Sequence, residues 1–488
     1  MKQLIILILL ISLSKLAVAQ SNFYKQYSSN GYDFGQGIVG LPDSSYVITG
    51  TSSSFTEGPA QMFLLKVDSL GNFIWSNHYG GSETDGGRRV KYIEGEGFFV
   101  GGYTNSSGHG AYDFALWKID ENGNEEWFKT YGTIGWERIH HMAITADNGV
   151  ILVGETNNTT DGFTDIYIVR TDHDGTVLWE KQIENPGDDN ALTIKQFDNS
   201  TFIVGGYFYN SSSGFKQAWL TKLEDDGTEL WTQVWGDDYD FDIADIEMYN
   251  QQIVSVGART TVGDDEERWF ILKVDSDGAV LTSWFELTLN HFKAVGITTH
   301  DNLGVFSICT SYSGTEFSYG LEDLYVYAFT HSPSYLGQLG GVNYATSQVF
   351  GEMITTYNRG TIMTGYNENI GPGGSSIFIL RMGKGQPYSD AGDDFTTTPL
   401  ISVEQVSSSE TITIYPNPST DKIRIKSEDS DGQLFLIRIN DLSGRKILSL
   451  ETHNLNQTVI DASMIAKGVY TMIIENESNT AIRKIEIR

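Results

Sequence analysis

Cysteine is almost missing from this chain of 488 residues, which holds one, and proline is scarce at nine. A single thiol excludes a disulfide framework and any four-cysteine zinc site. Basic residues are few as well: 32 Lys plus Arg stand against 63 Asp plus Glu, a net charge of −31. Binding to a phosphate backbone needs clustered Lys and Arg, so no nucleic-acid partner is expected. Beyond the first twenty residues no apolar run approaches the ~18 residues of a membrane helix, so no membrane span is expected. What is plentiful is core material. An apolar fraction of 40% with 12% aromatics is enough to fold a chain of this charge, and the length allows two or three domains.

The first residues carry Lys2, the apolar run Leu4 to Ile11, and Ala17-Val18-Ala19, the order of a signal peptide with its small-x-small cleavage site. Eight apolar residues reach only about 12 Å as a helix, against a hydrocarbon core of about 30 Å. Residues 1–19 are therefore expected to be removed, leaving Gln20 first. No cysteine follows the site, so no lipid anchor is expected there.

The rest of the chain repeats. Apolar-then-small triplets end at Gly50, Gly102, Gly154, Gly206, Gly257, Cys309 and Gly365, in steps of 52, 52, 52, 51, 52 and 56. A second row confirms the period: Trp75, Trp127, Trp179 and Trp231 each stand four residues after Gly71, Gly123, Gly175 and Gly227. A fixed period of this size marks a repeat architecture. Within one period the pattern reads as four short strands: in the second repeat, Arg89 to Glu94, Phe98 to Thr104, Asp113 to Asp120 and Glu125 to Tyr131. Gly and Asn turns join them, since both tolerate positive φ.

Four-stranded units repeated at this spacing predict a β-propeller. The expected fold is all-β: a seven-bladed β-propeller over residues 20–383, followed by a small C-terminal β-sandwich. The seventh repeat stops after its third strand, while Phe23 to Tyr27 matches Trp127 to Tyr131. The N-terminal strand is therefore expected to complete the last blade and cover its edge. The segment Tyr112 to Asp120 followed by Asn122-Gly123-Asn124 resembles the β-propeller repeats of secreted bacterial proteins.

After Gly383 the period ends. Residues 384–411, rich in Gly, Ser, Thr and Asp, read as a linker, and residues 412–488 as seven strands of a sandwich. The charge changes with them: residues 412–488 hold 10 acidic and 10 basic side chains, residues 20–411 hold 53 and 20. Tyr415-Pro416-Asn417-Pro418, the hairpin Asp441 to Arg445 with Gly444, Gly468-Val469-Tyr470, and Lys484 together resemble the type A C-terminal sorting domain of the type IX secretion system. That resemblance implies recognition by the outer-membrane secretion machinery and delivery to the medium or the outer cell surface.

Candidate chemistry is sparse. The turns Asp172-His173-Asp174-Gly175, Asp225-Asp226-Gly227 and Asp275-Ser276-Asp277-Gly278 suggest calcium loops, but the position of the first acidic ligand holds Arg170, Lys222 and Lys273, the wrong charge for a dication. They read as hairpin turns. His140 and His141 are neighbours on a strand and are expected to face opposite ways. Cys309 reads as a buried inert thiol, and no nucleophile elbow, zinc-protease helix or phosphate loop is present. The tryptophan row reads as blade packing, with Trp127 in the core. No catalytic residue, metal or cofactor is assigned. The longest loops share one face, and binding is placed there: Asp189, Asp237, Asp238, Asp264, Asp265 and Glu266, with Trp136 and Tyr239 as contact aromatics, facing an unidentified extracellular protein or glycan, with a cationic partner favoured by the charge. The expected function is a non-catalytic binding protein; the alternative is a polysaccharide hydrolase or lyase using two carboxylates.

Overall fold

The computed structural model describes residues 23–54, 59–159, 162–236, 238–261, 266–285, 291–300, 305–313, 322–330, 335–342, 347–356, 360–368, 374–382, 397–399, 413–415, 422–426, 434–441, 446–463, 465–475 and 480–487; structural statements refer to these. The expected signal peptide lies outside them, as does the segment read as linker apart from residues 397–399.

Seven sheets follow one another along the chain, six of them antiparallel meanders of four strands and the seventh a three-strand meander extended by strands from elsewhere in the chain. The innermost strands are Asp33–Gly40, Asp85–Ile93, Glu137–Ile144, Asn190–Gln196, Asp240–Tyr249, Phe292–His300 and Gln348–Thr355. Seven apolar clusters each join two successive sheets, and one of them joins the seventh to the first through Ile362, Ile377, Ile379, Ile38 and Phe63. The sheets therefore close into a ring. Phe23–Ser28 pairs with Ser375–Met382 as the outer strand of the last blade, with Tyr27 opposite Ile377, so the expected closure is observed. One strand is additional: Thr397–Pro399, inside the segment read as linker, pairs in parallel with Phe23–Ser28.

The rows seen in the sequence are the joints between blades. Gly123 and Gly175 sit in hairpin turns at φ +83 and +72, a conformation that favours glycine. The outer-strand tryptophan of the preceding blade lies over each of them, Trp75 on Gly123 and Trp127 on Gly175. The tyrosine four residues on donates to the same turn, Tyr79 Oη to Gly123 O at 2.9 Å and Tyr131 Oη to Gly175 O at 2.8 Å. Tyr27 does the same to Gly71 across the closing joint. Trp127 is thus half-buried at a joint, not in the core; the fully buried tryptophans are Trp117 and Trp219 on third strands. The acidic turns are hairpins held by their own carboxylates, as Asp120 Oδ1 accepts from Asn122 and Asn124 N–H at 2.8 Å each. The fully buried Arg170 ties the Asp225 turn, at 2.9 Å, to Asp147 in the turn after Glu137–Ile144, at 2.8 Å.

The glycine row of the second strands records a different feature. Every innermost strand carries a β-bulge, between Gly35/Gly37, Gly87/Arg89, Ile139/His141, Ala191/Thr193, Ile243/Asp245, Ala294/Gly296 and Phe350/Glu352. The bend drives a carbonyl against the facing strand. A Cβ on Gly50, Gly102, Gly154, Gly206, Gly257 or Gly365 would collide with that backbone oxygen. In the sixth blade the residue before the bulge faces Thr310, and Cys309 lies one position away. Cys309 therefore does not occupy the glycine row; it is buried beside Met363, and burial pushes its thiol pKa up, which keeps it protonated and inert.

Residues 413–487 form two further sheets, Thr413–Tyr415, Lys422–Lys426 and Val459–Asp461 in one, and Lys446–Thr452, Phe435–Asp441, Gly468–Glu475 and Thr480–Ile487 in the other. Ile423, Ile425, Ile437, Ile439, Met472 and Ile474 belong to one shared core. Tyr470 is buried and donates to Ala466 O at 2.6 Å, while Tyr415 is exposed. Lys484 faces Thr471 in the strand register. Pro416, Asn417, Pro418, Gly444 and Arg445 lie outside the described residues.

Candidate functional site

A strand normally sends neighbouring side chains to opposite faces. A bulge leaves two residues opposite one and re-aims the side chains. The bulge residues Gln36, Arg88, His140, Leu192, Ala244, Val295 and Gly351 and their successors thus border the axis of the ring. His140 and His141, expected on opposite faces, both border the channel at different levels. His140 lies 3.4 Å from Glu155, and His141 lines a cavity of about 510 Å³.

The cavity runs from the bulges to the ends of the innermost strands at Tyr92, Ile144, Gln196, Thr299 and Thr355. It therefore fills the half of the channel toward the short turns, opposite to the long-loop face on which sequence reasoning placed binding. Its charged lining comes from five blades: Arg89 and Lys91, His141, Lys195, Asp245 and Glu247, and Glu352. Met142, Ile194, Ile297 and Met353 supply apolar wall.

Most of these charges are already matched. Lys91 Nζ meets Glu352 Oε1 at 3.0 Å, and Ile38 N–H of blade 1 donates to Glu352 Oε2 at 2.9 Å. Lys195 Nζ meets Glu247 Oε2 at 2.8 Å. Asp245 accepts from Thr193 Oγ1 at 3.2 Å and Ile297 N–H at 3.0 Å. Burial opposes ionisation of Glu352, but Lys91 and Arg89 hold its pKa below the usual carboxylate value. At Asp245 and Glu247 burial wins over Lys195 and raises both. His141 is driven well below its ordinary pKa, first by burial and then by Arg89, Lys91 and Lys195, so it is neutral at pH 7.

Toward the long-loop end stand Arg88, His140, Arg138 and Glu155. Arg138 meets Glu155 at 3.4 Å and lies 5.2 Å over the Trp136 ring; Asn190 Nδ2 donates to the other Glu155 oxygen at 2.8 Å. Tyr103, with its hydroxyl 3.1 Å from Thr51 Oγ1, and Tyr366, edge-on to Phe34 at 4.7 Å between centroids, form an aromatic wall.

Of the loop-face acids, Asp189 and Asp238 have described side chains. Asp189 is fully buried just before the innermost strand Asn190–Gln196 and accepts from Tyr209 N–H at 2.7 Å, so it offers nothing to a partner in solution. Asp238 is exposed. Tyr239 is covered by Arg259 at 3.9 Å, and Trp136 by Arg138, so both contact aromatics already hold a cation of the same chain. Asp237, Asp264 and Asp265 lie outside the described residues; Glu266 opens its strand opposite Thr261, and nothing of its side chain is described. Among the described residues no group of three or more His, Cys, Asp or Glu side chains is placed to hold a metal.

Sequence reasoning missed the channel because its charges come one or two per repeat. Their signal was positional: 36, 88, 140, 192, 244, 295 and 351 repeat with nearly the same period as the glycines.

Residues 413–488 match the family model of the secretion system C-terminal sorting domain. The chain ends in a type IX secretion system sorting domain, which marks it for secretion and the cell surface, and among the described residues no helix is long and apolar enough to cross a membrane. No curated protein matches the sequence. Solved structures similar in fold include the endosialidase of phage phi92, at 8% identity and TM-score 0.44 over 95% of this chain and 87% of that one. Puromycin hydrolase follows at 10% and 0.43, over 81% and 59%. The β-propeller domain of the Trilobed protease from Pyrococcus furiosus gives 10% and 0.36, over 80% and 93%. These likenesses are of fold alone.

Proposed function

We propose that this type IX secreted propeller is a binding module, taken across the inner membrane by the leader of residues 1–19 and displayed or released outside the cell, with its ligand seated in the central channel and not turned over. The observation that carries the reading is the state of the channel carboxylates. Glu352, Glu247, Asp245 and Glu155 each hold a fixed cation, hydroxyl, amide or backbone N–H, whereas an acid and base pair needs carboxylates free to exchange protons with a substrate. A preformed polar cavity with apolar wall is the ordinary shape of a ligand site. The ligand class is an extracellular glycan or protein segment.

The mature chain and an Ala244→Trp variant, which plugs the channel at a bulge, should be applied to a glycan array and assayed for release of reducing ends. Retention without release, lost in the variant, is expected. Release of reducing ends would overturn the reading.

One observation favours the enzymatic alternative. Asp242, beside Ala258 N–H at 3.3 Å, has its pKa pushed up to about 6. Burial is the main cause, with Glu267 adding to it, and such a carboxyl could act as a general acid. In that case Asp242→Asn would abolish turnover that the unaltered chain shows.

A further inference from the structure

We infer that Arg88, Arg89 and Arg138 form an oxyanion site that takes the carboxylate of an acidic saccharide entering the channel from the long-loop face. The inference deepens the channel reading above and rests on it.

Three cations here have carboxylate partners, Lys91 with Glu352, Lys195 with Glu247 and, within the cluster, Arg138 with Glu155. Arg88 and Arg89 do not. Of the five N–H groups of Arg88, one is engaged, Nη1 to Gln36 Oε1 at 2.9 Å. Arg89 Nη1 is shared between two backbone carbonyls, Gln36 O at 3.3 Å and Arg88 O at 3.0 Å. The Nε of each is buried with no hydrogen-bond partner. Two guanidinium groups on consecutive residues, with the third on the next blade, repel one another, and burial together with Arg89 and Arg138 lowers the Arg88 pKa. Guanidinium does not lose its proton in a protein. The cluster therefore holds positive charge and unmatched donors inside a molecule that carries −31 overall, an arrangement that costs stability unless an anion completes it.

The fork of a guanidinium matches a carboxylate in bidentate fashion. Tyr366 and Tyr103 stand beside Arg88, Phe34 packs edge-on to Tyr366, Tyr112 packs against Tyr103 with centroids 5.8 Å apart, and Tyr32 stacks on Phe34 at 6.3 Å. Tyr32 and Tyr112 are exposed. Aromatic faces with a free polar edge next to paired arginines suit a sugar ring that bears a carboxylate, and they suit a bare inorganic anion poorly.

The test uses the mature chain and two probes in calorimetric titration, trigalacturonate and neutral galactotriose. Trigalacturonate should bind at least tenfold more tightly, and the preference should vanish in Arg88→Met and Arg89→Met. Both variants should melt at the same temperature as the unaltered chain or higher, because a half-buried cation with no carboxylate partner is replaced by an apolar stem of similar length. A lowered melting temperature in both would assign the arginines to the fold and overturn the inference. So would equal binding of trigalacturonate by Arg88→Met. Equal binding of both probes, lost in Ala244→Trp, would leave the channel reading standing and remove only the oxyanion site. Binding of neither probe would remove the site as stated, while retention of other glycans on the array would keep the channel reading.

Discussion

Asp189 stores a pH-dependent instability that one substitution should remove. It is fully buried and has its pKa pushed up to about 6, mainly by burial, with Asp165 and Asp188 adding to the shift and Tyr209 N–H opposing it. An unfolded aspartate ionises near 3.9. Below pH ~4 the group is protonated in both states and costs nothing. Between about 4 and 6 the unfolded chain releases its proton first, so stability falls as pH rises through this window and stays lower above it. A shift of about two units corresponds to roughly 3 kcal/mol. Asparagine keeps the oxygen that accepts from Tyr209 N–H and carries no charge. Asp189→Asn should match the unaltered chain at pH 4 and exceed it by up to about 3 kcal/mol at pH 7.5. For a domain of this size that is roughly 4 °C in melting temperature. Tryptophan fluorescence followed during thermal unfolding at pH 4, 5, 6 and 7.5 would measure it, since the tryptophans lie in the blades. A difference between the two proteins that does not change with pH would refute the reasoning.

Gly102→Ala would set a Cβ against the Gly86 carbonyl oxygen; with backbone on both sides of the clash, a loss of more than about 4 kcal/mol is expected in urea unfolding. Deleting residues 20–28 removes Phe23 and Tyr27 from the closing cluster and bares the strand Ser375–Met382. At about 3 to 5 kcal/mol for each buried aromatic, the melting temperature should fall steeply, and an unchanged melt would contradict closure by the N-terminal strand. Removing residues 413–488 should leave the propeller in the periplasm, and cell fractionation that finds the truncated form at the surface would contradict the role of the tail.

The ring was legible because its joints fall at fixed intervals. Tyr79 and Tyr131 reach a turn glycine 44 residues on, and a contact repeated that faithfully leaves a row in the sequence. Closure was legible because Phe23 to Tyr27 repeats the outer-strand pattern where the last repeat lacks one. The bulges were not, since Gln36, Arg88, His140 and Leu192 share a backbone shape and no side-chain type. The slip at Cys309 has the same origin: a step of 52 fits that residue, yet the bulge register sets Thr310 in the glycine's place. The loop face drew attention because the longest loops share it, and its acids are neighbours in sequence. Asp188 and Asp189 illustrate how little that means, for the second is fully buried. The channel charges are the converse, far apart along the chain and brought together only when the ring closes.

The short strand Thr397–Pro399 gives the molecule a mechanical property. It lies between the ring and the tail by which the protein is exported, and it grips the strand that shuts the ring through three parallel pairs, Gln26 with Thr397, Tyr27 with Thr398 and Ser28 with Pro399. A pull on the tail meets this grip before any blade. Its release would free a contour of roughly 55 Å between residues 383 and 399 before a pull on the tail loads Ser375–Met382, the partner of Phe23–Ser28.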